Sequence, residues 1–283
     1  MKVKGVIVAA GYGTRFLPVT KTVPKELLPL MDRPAIDFIV DEFVQAGLDE
    51  ILIISSRRKK ALDDYFDREY ELESELTKSN ALSKLAKLPN PPAEIMTVRQ
   101  REMNGTGNAL LLARPFVGNH PFVVAYPDDI FTGGSLTSEL VALHQKTGGS
   151  VLAVRDCSGM DVSRFGVVAV REKQGRQQVS DFVEKPPIGQ EPSHLVSVGR
   201  YLFEPSFFDW LEEGKKSHRG GEYYHLYAMK KAIVAKRLWA HCTTLRHLDV
   251  GEPLGYLEAF CRYALSQPEW QEPARQLFET LSK

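Results

Sequence analysis

Residues 3–30 read VKGVIVAAGYGTRFLPVTKTVPKELLPL and combine a short apolar run with two glycines and a basic, proline-rich segment. The apolar run, 6–10, contains β-branched residues and predicts a strand that is buried on both faces. Gly11 and Gly13 follow directly. Because glycine lacks a Cβ, it tolerates positive φ and lets backbone N–H groups approach a ligand closely. The start of the chain therefore predicts a buried strand that ends in a ligand-binding turn.

The loop after this turn is basic and stiff. It carries Arg15, Lys21 and Lys25. Proline fixes φ, and three prolines fall in the same segment: Pro18, Pro24 and Pro29. Fixed positive charge beside a glycine turn, at the carboxyl end of a strand, suits a polyphosphate ligand. The alternative is a tight connection with solvated cations, but a stiff loop with several cations is less typical of a mere connection.

Two common phosphate-binding motifs are absent. The dinucleotide-binding fingerprint needs a third glycine where this chain has Phe16, which argues against a dehydrogenase-type NAD site. The P-loop pattern, with Lys-Ser/Thr after its last glycine, is not found either. Instead, residues 11–30 resemble the signature of the sugar-1-phosphate nucleotidylyltransferases, G-x-G-T-R-x-x-P-x-T-K…P-K-E. The resemblance extends to about Ser266 and is strongest to the bacterial UTP–glucose-1-phosphate uridylyltransferases.

The composition is that of an ordinary globular protein. Of the 283 residues, 43% are hydrophobic and 25% are charged, which allows a sizeable core in one large domain or two small ones. Lys plus Arg and Asp plus Glu both number 36, so the formal net charge is zero. This balance argues against a broad surface for nucleic acid or a membrane. Scattered cysteines, with no signal peptide and no membrane-spanning run, predict a cytoplasmic protein with free thiols.

The first half of the chain, about 1–148, predicts the beginning of a parallel sheet. A helix is expected from Arg33 to about Ala46, where apolar residues recur at helical spacing, and Gly47 ends it. Strands are expected at 50–55, 94–98 and 121–126. The resemblance implies a single domain over 1–283 with a Rossmann-like, glycosyltransferase-A-like α/β fold. In this three-layer fold, helices flank a mostly parallel, mixed central sheet.

Residues 57–92 are highly charged, show helical spacing and end in PNPP. We expect two helices here, at about 59–66 and 68–88, as an insertion on the sheet. Phe66-Asp67 and the following YELESEL resemble the FD-x-SYELE-x-L helix of the uridylyltransferases. The related thymidylyltransferases generally have a shorter connection at this point. The insertion therefore favours UTP over dTTP, while a solvated helical face accounts for the charge itself.

A glutamine and a glycine-rich turn follow the strand at 94–98. The amide of Gln100 offers a donor and an acceptor, which match the N3–H and carbonyl groups of uracil. A nearby glycine lets the backbone approach the ring. From the residues alone, a glutamine at a strand end is more often a surface residue. The resemblance implies that Gln100 and Gly105, the first glycine of G-T-G, bind the pyrimidine.

The strand at 121–126 leads into Asp128 and Asp129. A carboxylate at the carboxyl end of a parallel strand lies where α/β sheets bind ligands. Mg²⁺ typically takes one or two carboxylates together with phosphate oxygens and water. The family pattern L-P-D-x implies that Asp128 is a metal ligand, and Asp129 is expected to point away along extended backbone. The alternative is that both residues merely end the strand and cap a helix at 135–147.

The second half, about 149–266, predicts mainly strands, at 150–155, 166–171, 178–183 and 195–203. Three motifs in it resemble family motifs that contact the sugar phosphate: F-G-V-V at 165–168, V-E-K-P at 183–186 and V-G-R-Y at 198–201. A carboxylate can accept hydrogen bonds from two vicinal hydroxyls, and a lysine can hold a phosphate as a point charge. The resemblance thus implies four contacts with the sugar phosphate: Gly166, Glu184, Lys185 and Gly199. Alone, the Glu-Lys-Pro tripeptide is more typical of a surface pair before a turn.

Gly221 and Glu222 open another expected helix, which runs to about Lys236. They resemble the start of the family's G-E-x-x-L-T-D, which implies that Glu222 lies near the sugar hydroxyls. The chain then departs from the family, because His225-Leu226-Tyr227-Ala228 replaces the Leu-Thr-Asp segment. We expect altered packing rather than lost catalysis. The departure bears on sugar specificity and on the assembly surface.

Asp249 and Gly251 resemble the family's x-x-D-x-G, which implies that Asp249 is the second protein ligand of Mg²⁺. It lies 121 positions after Asp128, so this pairing depends entirely on the resemblance. A helix is expected at 251–264, with its apolar face formed by Leu254, Leu257 and Phe260. An amphipathic helix at about 270–283 is assigned to packing or oligomerisation.

The resemblance implies the reaction UTP + glucose 1-phosphate ⇌ UDP-glucose + pyrophosphate, with Mg²⁺ as cofactor, in a homodimer or homotetramer. It assigns catalysis to Arg15, Lys25 and Lys185. It assigns nucleotide binding to a larger set: Ala9, Ala10, Gly11, Gly13, Thr14, Arg15, Lys25, Glu26, Gln100, Gly105 and Asp128. The alternatives are a glucose-1-phosphate thymidylyltransferase and a non-catalytic regulatory paralogue. The presence of all the charged site residues argues against the paralogue.

Overall fold

β1 (Lys4–Val8) is the strand predicted from the opening apolar run, and it lies inside a sheet with parallel neighbours on both sides. This position explains why its residues are apolar on both faces. Ile7 packs with one helical layer, while the adjacent Val6 packs with the other. Successive residues of a strand point to opposite faces, so β1 anchors both cores of the molecule.

The computed structural model describes residues 2–281. The further strands are β2 (Pro29–Leu30), β3 (Arg33–Pro34), β4 (Glu50–Ser55), β5 (Glu94–Arg99), β6 (Phe122–Ala125), β7 (Asp129–Thr132), β8 (Ser150–Asp156), β9 (Gly166–Lys173), β10 (Arg176–Glu184), β11 (Leu195–Phe203), β12 (Leu238–Cys242) and β13 (Arg246–Asp249). The helices are α1 (Ala35–Gln45), α2 (Lys60–Phe66), α3 (Tyr70–Lys78), α4 (Leu82–Leu85), α5 (Thr106–Leu111), α6 (Arg114–Val117), α7 (Leu136–Thr147), α8 (Phe207–Ser217), α9 (Leu226–Val234), α10 (Pro253–Ser266) and α11 (Gln271–Leu281).

The main sheet has nine strands in the order β5-β4-β1-β6-β11-β8-β12-β10-β9. Its first four strands are parallel, β11 runs antiparallel to both β6 and β8, and β12 runs parallel to β8. Helices α1, α7 and α10 pack on one face, and α5, α8 and α9 pack on the other. The predicted three-layer α/β fold with a mixed sheet is therefore confirmed, and one sheet spans both halves of the chain. Its parallel pairings are concentrated in the first half, and antiparallel pairings dominate the second, so the sheet as a whole is not mostly parallel.

The inserted segment differs from its prediction. In place of one helix over 68–88, the chain forms α3 and α4 with a break between them. Asn80 lies in this break with φ of 53°. Asparagine tolerates the left-handed region better than most residues, and such a residue ends a helix. The prediction of a single long helix is wrong because the charge pattern continues through the break.

The predicted inner face of α10 is also wrong. Leu254 is 76% exposed and Leu257 is 57% exposed. Phe260 does pack against the core, together with Tyr256 and the buried Ala259. The helix carries two stripes at helical spacing, and the periodicity alone does not select between them.

The helix expected from Gly221 to Lys236 is shorter, because α9 begins at Leu226. The preceding residues, 221–225, form an irregular segment. Tyr223 N–H donates to the Asn104 carbonyl, and Gly107 N–H donates to the Tyr223 carbonyl, both at 2.8 Å. These bonds hold the segment against the glycine-rich turn of residues 104–107 instead of continuing a helix.

Several elements were not predicted: β2, β3, β7, β12, β13, α5, α6 and α8. Helix α7 is capped by Ser135, whose Oγ accepts from the Ser138 N–H at 3.1 Å, so Asp128 and Asp129 do not cap it. The expected helix at 270–283 is α11, of which Ser282 and Lys283 lie outside the described residues. Within residues 2–281, we find no helix with both the length and the apolar character needed to cross a membrane.

A buried ion pair joins four elements at the centre of the molecule. Arg200 on β11 has no exposed surface, and it donates from Nε and Nη2 to the Glu42 carboxylate at 3.0 and 2.8 Å. Nη2 also donates to the Asp129 carbonyl at 3.2 Å. The Thr137 backbone N–H donates to the same carboxylate at 2.9 Å. The pair therefore ties α1, β11, α7 and the start of β7 together.

We predict that Arg200→Met destabilises the protein by about 3–5 kcal/mol, because it leaves the Glu42 charge buried and unpaired. The double variant Arg200→Met/Glu42→Leu should regain part of this loss. Urea unfolding gives the free energies of unfolding. Arg262→Met, which breaks an exposed pair with Glu258, is the matched control and should cost less than about 1 kcal/mol. An equally small loss in Arg200→Met would contradict this account of the pair.

Candidate active site

A first cavity, of about 310 Å³, lies at the carboxyl end of β1. We call it the glutamine cavity. Its lining combines the glycine turn, the Gln100 region and one residue of the 221–225 segment: Val8, Ala10, Gly11, Tyr12, Gly13, Thr14, Gln100, Met103, Gly105, Thr106, Ala109 and Glu222. The structure thus brings together most of the residues predicted for the nucleotide. Ala9 is an exception, because it is buried and offers only its backbone carbonyl, to Lys59.

Gln100 is buried, and its amide orientation is set by the adjacent turn. Nε2 donates to Asn104 Oδ1 and to the Gly105 carbonyl, both at 3.3 Å. Gly105 itself has φ of 103°, and a Cβ there would lie 2.3 Å from the Tyr223 carbonyl oxygen. Only glycine fits this position. Among residues 2–281, no group donates to Gln100 Oε1, so this oxygen is left as the free acceptor of the side chain.

A second cavity, of about 460 Å³, shares Thr106 with the first. We call it the Glu184 cavity. Its remaining lining comes from the turn after β6, from β10 and β11, and from the start of α9: Tyr126, Asp128, Asp129, Phe182, Glu184, Lys185, Ser197, Gly199, Tyr201, Tyr224, His225, Leu226 and Met229. The predicted sugar-phosphate residues Glu184, Lys185 and Gly199 meet here.

Gly166 lies directly beside Glu184. A Cβ on Gly166 would come within 3.0 Å of Glu184 Oε2 and would overlap the Phe182 ring at 2.5 Å. Lys185, which follows the end of β10, has φ of 50°. A left-handed lysine is uncommon, and strained residues of this kind concentrate at functional sites. The bend turns Lys185 out of the strand direction at the edge of the cavity.

Asp128 and Asp249 come together although they are far apart in the chain. β7 and β13 pair antiparallel, with Asp129 opposite Asp249. The Val250 N–H donates to the Asp128 carbonyl at 2.9 Å. A Cβ on Gly251 would lie 3.0 Å from a carboxylate oxygen of each aspartate. The structure therefore places the two predicted metal ligands on one side of the same glycine.

The pKa values of these two carboxylates shift in opposite directions, because only Asp128 is paired with a lysine. Burial lowers the pKa of Lys25, but its pair with Asp128, at 2.8 Å, outweighs this effect and raises the pKa. Burial alone would raise the pKa of Asp128, but the positive charge and the hydrogen bond of Lys25 outweigh burial. The pKa of Asp128 is therefore lowered. Asp249 has no lysine or arginine partner among residues 2–281, and burial with the nearby charges of Asp129 and Asp128 raises its pKa. Two neighbouring carboxylates, of which only one is paired with a cation, fit the oxygen donor set of Mg²⁺.

Arg15 lies at the edge of this carboxylate pair. Its guanidinium is exposed, and Nη1 donates to the Gly251 carbonyl at 3.3 Å. Its positive charge contributes to lowering the pKa of Asp128. Arg15 and Lys25 therefore approach the carboxylates from the same glycine-bearing loop, as the motif predicts.

Glu26 does not line either cavity. It is 1% exposed, and its carboxylate binds Lys59 Nζ at 2.7 and 2.8 Å. Lys59 Nζ also donates to the Ala9 carbonyl at 2.5 Å, and burial lowers the pKa of this lysine. The pair fixes the Lys25 loop to the end of β1. Sequence reasoning missed Lys59 because it stands in a charge run that reads as solvent-exposed.

Asp129 was expected to point away, and this expectation is wrong. It lines the Glu184 cavity, and its Oδ1 hydrogen-bonds His247 Nε2 at 2.7 Å. A Cβ on Gly199 would lie only 2.0 Å from Asp129 Oδ2. The backbone is not extended here, because the Asp129 N–H turns back to the Tyr126 carbonyl at 3.1 Å. His247 carries no local signal and was not predicted.

Glu222, which the resemblance places near the sugar hydroxyls, does not share a cavity with Glu184, Lys185 and Gly199. It borders the glutamine cavity rather than the Glu184 cavity. The Tyr224 hydroxyl donates to its carboxylate. His225, at the departure from the family motif, does line the Glu184 cavity and hydrogen-bonds Thr106. The 221–225 segment therefore lies along both cavities.

The site consists of two adjoining cavities. Two cations from one loop, Arg15 and Lys25, and two carboxylates, Asp128 and Asp249, lie close to them. One cavity offers a planar amide acceptor and a glycine turn. The other offers a carboxylate, a lysine and aromatic walls. Such an arrangement can hold two anionic reactants next to each other and balance their charge.

Comparison with known proteins agrees with this arrangement. The chain is 37% identical over 282 residues to a UTP–glucose-1-phosphate uridylyltransferase of Staphylococcus epidermidis, and the match covers 98% of each chain. The fold matches that of a UTP-bound UGPase from Acinetobacter baumannii with a TM-score of 0.90, at 31% identity, over 98% of this chain and 99% of that one. It matches a UDP-glucose pyrophosphorylase complexed with UDP-glucose with a TM-score of 0.82, at 35% identity, over 94% and 100% of the two chains.

The sequence model of one family, described as nucleotidyl transferase, matches residues 4–266. This range includes both cavities, the carboxylate pair and the glycine-bearing loop. It stops before α11, which contributes to neither cavity. With a family match over nearly the whole chain and a full-length relative above 30% identity, the chain belongs to the nucleotidyl transferase family.

Proposed function

We propose that this chain makes UDP-glucose and pyrophosphate from UTP and glucose 1-phosphate. The observation that carries the proposal is that two cavities adjoin at Thr106, with Asp128, the partner of Lys25, in the lining of one of them. One cavity carries Gln100 and the glycine turn, and the other carries Glu184 and Lys185. The full-length similarity to uridylyltransferases supports the choice of reaction.

UTP occupies the glutamine cavity in this proposal. Gln100 Oε1, left free by the contacts of Nε2, accepts from the N3–H of uracil, and the glycine at 105 lets the ring come close to the backbone. The N–H groups of the Gly11–Gly13 turn, with Arg15 and Lys25, hold the triphosphate. A solved relative that is UTP-bound supports the choice of this nucleotide.

Glucose 1-phosphate occupies the Glu184 cavity. Glu184 accepts hydrogen bonds from vicinal sugar hydroxyls, and Lys185 holds the phosphate as a point charge. Gly166 and Gly199 leave room for the ring, because a side chain at either position would overlap Phe182 or Asp129. Glu222 would reach the sugar only from the side of the glutamine cavity.

The reaction is an in-line displacement at the α-phosphorus of UTP. A phosphate oxygen of glucose 1-phosphate forms the new P–O bond, the bond between the α-phosphorus and the bridging oxygen breaks, and pyrophosphate leaves with that oxygen. No enzyme nucleophile is required, so the chain contributes positioning and charge balance. Arg15 and Lys25 offset charge on the UTP side, and Lys185 offsets it on the sugar side.

Asp128 and Asp249 would hold Mg²⁺, which supplies charge neutralisation at the reacting phosphate oxygens when bound. The raised pKa of Asp249, caused by burial and the neighbouring carboxylates, marks a position where added positive charge is favourable. With Asp128 engaged in this way, Lys25 would be free to pair with the triphosphate.

We further propose that residues 1–148 form the nucleotide half, with an insertion at 57–92, and that residues 149–266 form the sugar-phosphate half. The free cysteines Cys157, Cys242 and Cys261 support a reducing, cytoplasmic location. A homodimer or homotetramer is proposed from the family resemblance, with no partner other than its two substrates.

Pyrophosphate release tests the proposed reaction directly. With Mg²⁺ and glucose 1-phosphate, the purified protein should turn over UTP faster than dTTP, CTP, ATP or GTP. Because a 5-methyl group gives only about 1–3 kcal/mol of discrimination in a pocket, dTTP should be the best of the other nucleotides. Preference for dTTP would make the chain a thymidylyltransferase, and folded protein without any turnover would support the regulatory paralogue.

Asp249→Asn keeps the shape of the side chain and removes its charge. We predict that kcat falls by a factor on the order of 10²–10³, as is common when one charged contact to a transition state is lost. Asp128→Asn should behave alike. Steady-state kinetics over a range of Mg²⁺ concentrations measures both variants, with the exposed Asp64→Asn as control. Near wild-type turnover in Asp249→Asn would remove this residue from the metal site.

Lys185→Ala should raise KM for glucose 1-phosphate far more than KM for UTP, because only the sugar phosphate reaches this side chain. The separate KM values, measured with the other substrate saturating, show the difference. Lys215→Ala, an exposed lysine on α8, is the matched control and should leave both values unchanged. If KM for glucose 1-phosphate does not change in Lys185→Ala, the phosphate contact is wrongly assigned.

A further inference from the structure

His225 lies in the wall of the Glu184 cavity and uses only one of its two ring nitrogens. Nδ1 lies 2.9 Å from Thr106 Oγ1. Across residues 2–281, we find no group that hydrogen-bonds Nε2. Since the ring borders the cavity, Nε2 is available to a ligand there. None of the roles assigned above to the substrates involves this atom.

The ring is held in place from two sides. Thr106, its hydrogen-bond partner, begins α5. Tyr201 on β11 packs against the imidazole edge-to-face, with ring centroids 5.5 Å apart. Tyr201 is fixed in turn by a 3.0 Å hydrogen bond between its hydroxyl and Ser197 Oγ. A side chain fixed in this way can bind a ligand group without first losing conformational entropy.

The chemistry of Nε2 suits a hydroxyl better than a phosphate. Burial lowers the pKa of His225 to about 4, so the imidazole is neutral near pH 7. A neutral imidazole has one donor nitrogen and one acceptor nitrogen. Whichever role Nδ1 takes toward Thr106, Nε2 takes the other. A hydroxyl can meet both cases, because it donates and accepts, whereas a phosphate would favour the cation at Lys185.

We propose that His225 Nε2 hydrogen-bonds one hydroxyl of the sugar and is a specificity-determining residue of the Glu184 cavity. The proposal rests on the proposed use of a hexose 1-phosphate in this cavity. In the family pattern G-E-x-x-L-T-D, counted from Glu222, this position is a leucine, which cannot make the bond. The departure of this chain from the pattern therefore adds a polar contact to an otherwise aromatic and apolar part of the wall.

Such a contact makes the enzyme reject a sugar that lacks the hydroxyl, because Nε2 would then stay unpaired. The wild-type kcat/KM should fall about 10- to 100-fold for one deoxy analogue of glucose 1-phosphate relative to the parent sugar. In His225→Leu the nitrogen is gone, so this difference should shrink to less than about threefold. In His225→Leu, kcat/KM should fall for glucose 1-phosphate and stay unchanged for the deoxy analogue.

The experiment compares glucose 1-phosphate with its 2-, 3-, 4- and 6-deoxy analogues at saturating UTP. It uses wild type, His225→Leu, His225→Asn and the control His218→Leu. The asparagine can keep the Thr106 contact but is too short to replace Nε2, so it separates the two ring nitrogens. His218 precedes the same segment, bonds the Gly221 carbonyl and does not line the cavity. Thermal melting confirms that each variant is folded.

Loss of discrimination at a single hydroxyl in both His225 variants, and not in His218→Leu, supports the proposal. An equal loss for all five sugars would show that His225 only shapes the wall. Full discrimination in His225→Asn would show that the Thr106 contact alone matters. Either result overturns the proposal. A wild type inactive with UTP would overturn the proposed reaction instead, and calorimetric binding of the same sugars then makes the same comparison.

Discussion

The buried pair of Arg200 and Glu42 is the interaction on which the site geometry depends. Both charges are out of water, so the pair is stable only because every strong polar group finds a partner. The guanidinium binds the carboxylate and the Asp129 carbonyl, and the carboxylate also binds Thr137. Since the donors come from different elements, helices and strands can pack here in only one arrangement. A hydrophobic contact would allow sliding, whereas a bidentate pair does not.

The turn fixed by this pair decides where the carboxylates lie. Once the Asp129 carbonyl is held, the chain reverses at that point and β7 begins, which brings β13 alongside. Asp249 thereby comes next to Asp128, and Gly251 leaves the space between them open. Asp129 turns its own side chain toward His247 and the cavity. Gly199 is required for the same reason, because a methyl group there would displace the Asp129 carboxylate.

The fold and much of the site could be predicted, because both depend on local patterns. The apolar run of β1 and the motifs around Gln100 and Gly105 are contiguous in sequence. Residues that meet only because distant elements pack together carry no local sequence pattern, so the sequence did not predict their contacts. The sequence assigned Glu26 to ligand binding, but its carboxylate pairs with Lys59. The charged segment around Lys59 had predicted that this lysine is exposed to solvent. Asp249 was placed only by resemblance, because strand register, which no local pattern encodes, brings it into the site.

The pairing of the cations explains how a chain of zero net charge can bind highly charged substrates. Lys59 is buried in its pair with Glu26 and serves structure. Lys25 is more accessible in its pair with Asp128, at 18% side-chain exposure, so a phosphate can compete for it. Arg15 and Lys185 form no ion pair with a carboxylate in the described part of the chain. Lys59 is therefore fully engaged in an ion pair, whereas Lys25, Arg15 and Lys185 can bind a phosphate. We place the phosphates beside these three cations. Because Lys25 already has a carboxylate partner in Asp128, the proposed binding of a triphosphate would exchange a carboxylate for a phosphate at this lysine instead of neutralising an unpaired charge.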